Sequence, residues 1–224
     1  MISDKMIARF IGVLFVTTMI AGGIDSYLAM PLLSTPLPNI LAHRTTIMLG
    51  AFMIIYMSLG VVGIALLMFQ ILKRQNPLVA AGYLAFRTVE CVLLLVGAIV
   101  PLCILGLGQS AEVNAITDLP GLQRLVSLSL VLRNSCFQIS MLILGLNSLP
   151  LCAVLYKTRL LPRWLAAIGF IGYALLLLSA VLDLCGLIKT TGTGALLYAP
   201  GGLFELVLLP LWLIIKGFDK PKQT

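Results

Sequence analysis

Charge is what this chain has least of. Only 10% of its 224 residues are Asp, Glu, Lys or Arg, where an ordinary soluble domain carries about 25%. That shortfall excludes a water-soluble globule. Histidine is scarcer still: His43 is the single one, so no second imidazole exists to share a metal and no histidine lies inside an apolar run. Metallohydrolase and Ser/His hydrolase chemistry lose their usual parts. The five cysteines (Cys91, Cys103, Cys136, Cys152 and Cys185) show no CxxC or mixed Cys/His spacing, so no metal site is expected and the thiols read as small apolar packing groups. The TGTG of residues 191–194 has no following lysine, which leaves it a loop rather than a phosphate cradle. No cofactor is expected.

What fills the chain is apolar sequence, 60% of it, gathered into runs long enough to cross about 30 Å of hydrocarbon with about 20 residues each. Six runs qualify: residues 6–30, 46–72, 77–107, 125–156, 164–188 and 198–216. The expected fold is all-α: a polytopic membrane helix bundle of six transmembrane helices forming a single integral membrane domain over 1–224. The amino-terminal run continues past a would-be signal cleavage site, so it reads as a retained first helix. LSTPLPNILAHR reads as an irregular loop and GQSAEVNAITDLPGLQR as the longest connection. KRQNP and YKTRLLPR are short basic turns whose prolines suit the start of a helix.

The net charge of +7 makes no nucleic-acid patch, because the cations sit at the ends of the apolar runs. With the amino terminus inside, the cytoplasmic side holds Lys5, Arg9, Lys73, Arg74, Lys157, Arg159, Arg163, Lys216, Lys220 and Lys222, and the other side only Arg44, Arg124 and Lys189. That asymmetry predicts both termini in the cytoplasm. Trp164 and Trp212 fall where membrane-belt aromatics belong.

Inside the runs the few charges are conspicuous, since each costs about 2.5 to 3.5 kcal/mol to insert at mid-helix. On the third run Tyr83, Arg87, Glu90 and Leu94 make one stripe at helical spacing. Counting 1.5 Å per residue, Arg87 and Glu90 lie about 15 and 20 Å from the cytoplasmic face; Arg133 and Asn134 lie about 12 Å, Gln138 about 20 Å and Glu205 about 10 Å below the outer one. Asp25 and Asp183 close the set near the outer ends of the first and fifth runs. Asn134 with Gln138, Ser179 with Asp183, and Thr18, Gly22 and Asp25 mark the faces expected to turn inward, since lipid cannot satisfy them. Two arginines against four carboxyls suggest that Arg87 and Arg133 neutralise the deeper pair, Glu90 and Glu205, and leave Asp25 and Asp183 wetted at an outer mouth or one carboxyl protonated. The Pro200-Gly201-Gly202 step reads as an ordinary helix start, with a broken helix aimed at an anion as the alternative.

ARFIGVLFVTTMIAGG, LAFRTVE, YKTRLLPRWLAAIGFIGY and LLYAPGGLFELVLLPLWLIIKGF together resemble the domain of unknown function 4386 family of bacterial membrane proteins, over nearly the whole chain. The resemblance implies a small multi-pass protein of the bacterial cytoplasmic membrane, with Arg87, Glu90 and Glu205 in the family pattern. It implies no activity.

The expected function is a polar, outward-facing intramembrane cavity that binds, and by extension transports, a small polar or amphiphilic ligand through Tyr83, Arg87, Glu90, Arg133, Asn134, Gln138, Glu205, Asp25 and Asp183. Its partners would be the lipid bilayer, that ligand and, where a pathway needs two copies, a second chain. One alternative is an intramembrane enzyme using Glu90 or Glu205 as a general acid on a lipid or isoprenoid, since a carboxyl buried without a partner holds its proton more tightly. Another is a non-enzymatic membrane partner protein with purely structural ion pairs.

Overall fold

The computed structural model describes residues 3–113, 119–189 and 194–219. Six helices are long and apolar enough to cross a membrane: α1 (Asp4–Leu33), α3 (Arg44–Leu72), α4 (Pro77–Val113), α5 (Leu119–Thr158), α6 (Arg163–Leu184) and α7 (Ala195–Ile215). A short helix, α2 (Leu37–Ala42), lies between the first two. No strand occurs among the described residues.

Local chemistry explains the joints. The side chain of Ser3 accepts from the Met6 amide to cap α1, and the Asn76 side chain does the same for Val79 at 3.1 Å, directly before Pro77 opens α4. These side chains take backbone donors that a helix start leaves orphaned. At α6 the end is set by Gly186, whose φ of +73° turns the chain left-handed, while its amide bonds the Asp183 carbonyl and that of Leu187 bonds Leu182. A left-handed glycine cap stops a helix whatever the hydropathy beyond it. The fifth run therefore ends at Leu184, not at 188.

Two other expectations need correcting. LSTPLPNILAHR is no irregular loop: Pro38 sits in the first turn of α2, where its missing N–H costs nothing. Leu37 and Ile40 are buried there, and the Leu37 amide donates to Gln123 Oε1 of α5 at 3.1 Å. The connection between the third and fourth runs is also mostly helical, with α4 reaching Val113 and α5 starting at Leu119; residues 114–118, like 190–193 with most of the TGTG motif, and Lys220 and Lys222, lie outside the described residues.

The long helices pack in chain order, each against the next, and α7 closes the ring on α1. The largest apolar core fills the end that carries both termini and draws on all six long helices, from Ile11 and Phe15 of α1 to Leu209 and Leu213 of α7. A second core, at the opposite (distal) end, joins Leu33, Ile40, Ile47, Ile104 and Val126 of α1 to α5 and includes nothing from α6 or α7. The polar residues lie between these cores.

Candidate functional site

The stripe on α4 forms as its spacing requires, and Tyr83, Arg87, Glu90 and Leu94 are all buried. Arg87 is gripped first by its own helix. Its Nε donates to Tyr83 Oη at 3.1 Å, its Nη1 to both oxygens of Glu90 at 3.2 and 3.1 Å, and its guanidinium stands 5.2 Å from the centre of the Tyr83 ring. Its Nη2 then crosses to α7 and donates to Glu205 Oε1 at 3.2 Å. The hydroxyl of Tyr173 on α6 donates to the same oxygen at 2.6 Å, and Asn147 Nδ2 of α5 donates to the Tyr83 carbonyl at 3.3 Å. Four helices thus meet in one lattice around a guanidinium that is 2% exposed. A fork of donors suits this task, because each nitrogen has a fixed direction and its own acceptor. One positive charge here faces two carboxyl groups.

Close packing brings α6 and α7 near enough for Tyr173 to reach Glu205. A Cβ on Gly172 would stand 3.0 Å from the Gly201 Cα and 3.1 Å from its nitrogen; only a residue without a side chain admits that backbone contact. Pro200 lies inside α7 and not at its start, so neither the ordinary helix start nor a break at this step is found.

A second arginine is treated differently. Arg133 of α5 pairs with Asp25 of α1 through Nη2 and Oδ2. This corrects the expected pairing: Arg133 neutralises the shallow aspartate, and Glu90 and Glu205 share Arg87. The reason is level. Arg133 Cγ is the neighbour that a Cβ on Gly97 would meet, at 3.8 Å, and Gly97 lies seven residues, about 10 Å, beyond Glu90 along α4. Leu94, packed with Ile54 and Ala98, stands between the two levels. Asp25 and Arg133 are 3% and 7% exposed, yet Asp25 Oδ1 and Arg133 Nη1 are buried with no hydrogen-bond partner among the described residues.

Asp25 and Glu205, the two acids outside α4 that pair with an arginine in the bundle, sit on widened turns. The Met30 amide bonds back to the Asp25 carbonyl and the Leu209 amide to that of Phe204, five residues instead of four. Such π turns carry one extra residue and recur at functional sites. In each case a proline follows closely, Pro31 and Pro210, which could not have continued the ordinary ladder. The turn in α1 also needs Gly50 opposite: a Cβ there would lie 2.9 Å from Asp25 Oδ1 and overlap the Ala29 methyl.

A third group links α5, α6 and α7. Gln138 Nε2 donates to Asp183 Oδ2 at 3.1 Å, and the Tyr198 hydroxyl donates to Gln138 Oε1 at 3.0 Å; all three residues are partly buried. Asn134 joins none of these groups and is exposed, contrary to the inward face expected from its spacing with Gln138. It follows Arg133 directly, about 100° round the helix, and Arg133 takes the interior. Thr18 bonds the Leu14 carbonyl of its own helix at 2.7 Å. Of the cysteines, Cys91, Cys136 and Cys152 are buried, while Cys103 and Cys185 are exposed, so packing as interior apolar groups holds for three of the five.

The sequence reading missed Tyr173, Asn147 and Tyr198. For Tyr173 a signal exists: the face of Ser179 and Asp183, extended back at helical spacing, reaches Leu176 and Tyr173, both buried.

The sequence profile of the family described as domain of unknown function (DUF4386) matches residues 10–217. The chain belongs to this family. No curated protein and no solved structure matches it. All three polar groups fall within the span shared with the DUF4386 family. Chemically, the Arg87 lattice can hold four helices together and keep a fixed charge in place. The Arg133–Asp25 pair can in addition offer one donor and one acceptor to a third party.

Proposed function

We propose that this membrane protein binds a small polar or amphiphilic molecule at Arg133 and Asp25, entering from the distal end, with the Arg87–Glu90–Glu205–Tyr173 lattice as a rigid floor. The observation that carries the reading is the pair of unpartnered atoms. A buried donor or acceptor left unmet costs about 1–3 kcal/mol, and Asp25 Oδ1 and Arg133 Nη1 are two of them in one ion pair. A molecule with both an acceptor and a donor, such as a hydroxyl, an amide or a zwitterion, would satisfy both at once. The distal core supports an entry route, because α6 and α7 contribute nothing to it and carry instead the partly buried Asp183 and Tyr198 on either side of Gln138.

General-acid chemistry by Glu90 or Glu205 fits less well. Both Glu90 oxygens accept from Arg87, and Glu205 Oε1 accepts from Arg87 and Tyr173. These contacts make the two carboxyls anchors.

A high-resolution map of the purified protein with its co-purified molecules tests the reading. Density bridging Asp25 Oδ1 and Arg133 Nη1 is the expected result. A guanidinium rotated to meet the aspartate with both nitrogens, and no third group between α1 and α5, would overturn it.

A further inference from the structure

At the end of the bundle that carries both termini, the turn from α5 to α6 and the chain leaving α7 enclose a cleft of about 500 Å³. The Asp219 amide donates to the Leu160 carbonyl at 3.0 Å and so ties one wall to the other. The cleft is lined by Arg159, Arg163 and Lys216, with Trp212 and Leu161 as its apolar surface and Asp219 as its one acid. Among the described residues none of the three cations has an ion-pair partner. Among the described residues the indole N–H of Trp212 is buried with no acceptor, and Lys216 Nζ stands 4.3 Å from the centre of the Trp212 ring.

Membrane topology alone would explain basic residues at a helix end, but it would not explain where Arg159 sits. Its φ is +55°, the only positive φ at a non-glycine residue among those described. This is a backbone conformation that glycine adopts freely and arginine does not. Topology could be served by an arginine one residue away without that strain. At Arg159 the side chain is delivered to the cleft. The α6 helix adds to the same charge sign: Pro162 caps it without a side-chain bond, and its first bonds run from Leu165 and Ala166. The Arg163 and Trp164 amides are therefore left without helical acceptors.

We propose that this cleft binds a phosphate group, with the guanidinium groups of Arg159 and Arg163 and the ammonium of Lys216 as donors. Two guanidinium forks and an ammonium match an anion with several acceptor oxygens better than a single carboxylate. The exposed Trp164, edge-on to Trp212 at 6.0 Å, gives the cleft the aromatic rim found at the level of lipid headgroups. The phosphate could come from an anionic phospholipid or from solution, and the two sources are separable.

The test measures thermal unfolding of the full chain in detergent with dioctanoyl phosphatidylglycerol, dioctanoyl phosphatidylcholine or inorganic phosphate. Wild-type protein, Arg159→Gly, Lys216→Gln and Arg163→Lys are compared. Stabilisation by phosphatidylglycerol well above that by phosphatidylcholine, with apparent affinity about tenfold weaker in the first two variants, is expected from the loss of one charged donor. Arg163→Lys keeps the topology charge and should weaken binding less. If inorganic phosphate stabilises as well, the site takes the free anion; if only the lipid does, it takes the headgroup. Equal stabilisation by both lipids with none from inorganic phosphate, or responses unchanged in Arg159→Gly and Lys216→Gln, would overturn the proposal. Arg159→Gly should melt no lower than wild type without ligand, because glycine relieves the left-handed residue; Lys216 is exposed, so its variant provides a second folded control.

Discussion

Two levels of this bundle are each built round one arginine, and they treat it in opposite ways. Arg87 has an acceptor for every nitrogen, drawn from its own helix and from α7, and its neighbours Tyr173 and Asn147 bring in α6 and α5. Among the described residues Arg133 has one bonded partner, Asp25, and the pair keeps a spare donor and a spare acceptor. Buried charge in a membrane protein is therefore not one kind of signal. A charge whose hydrogen bonds are all met inside the protein fixes helices against each other; a charge left partly unmet is where a ligand gains by arriving. The two are told apart by counting partners, which depth and charge cannot do.

That contrast can be broken at its strong side first. Arg87→Met should leave Glu90 and Glu205 facing each other without a counter-charge and cost about 3–5 kcal/mol, read as a lower unfolding midpoint in detergent. Arg87→Lys should recover only part of it, because a single ammonium cannot reach three acceptors in three directions. Next in size is Gly50→Ala, whose methyl must displace Ala29 or Asp25 on the facing helix. Overpacking of this kind costs about 2 kcal/mol, and the same measurement should show it. Tyr173→Phe removes one of two donors to Glu205 Oε1 and should cost about 1.5 kcal/mol, with the bundle otherwise unchanged. Smallest of all, the double change Asp25→Leu with Arg133→Met should alter stability by less than about 1 kcal/mol, since a buried pair replaced as a unit is often neutral or better. A large loss of stability in that double variant would erase the distinction between the levels.

How much of this could be read from residue order follows from what residue order encodes. Span length and apolarity encode a membrane helix directly, so the six long helices emerge with only their ends shifted. The α4 stripe was also legible, because its four members lie on one helix and need only the 3.6-residue period. Partner choice was not. Whether Arg133 meets Glu205 or Asp25 depends on the level and rotation of separate helices, and two π turns alter that rotation with no composition change to announce them. Asn134 failed for a related reason: neighbours in sequence cannot share a face, and spacing alone did not reveal that the arginine would take it. Tyr173 was hidden in a run where an aromatic ring looks like any other apolar group.

The widened turns at Asp25–Ala29 and Phe204–Leu208 have a consequence for how this chain tolerates changes of length. Removing a residue from a membrane helix ordinarily swings everything beyond it by about 100°, exchanging lipid-facing for buried side chains along the remainder. A π turn already holds one residue too many for its rotation. Losing Ser26 or Val207 would restore the ordinary rotation, with the ladder still interrupted at Pro31 or Pro210, and keep both flanks facing as they do now. Single-residue deletions in α1 and α7 should therefore be survivable at these two places and nowhere else along them, and a deletion scan scored by folded yield would locate the acids Asp25 and Glu205 without any reference to their charge.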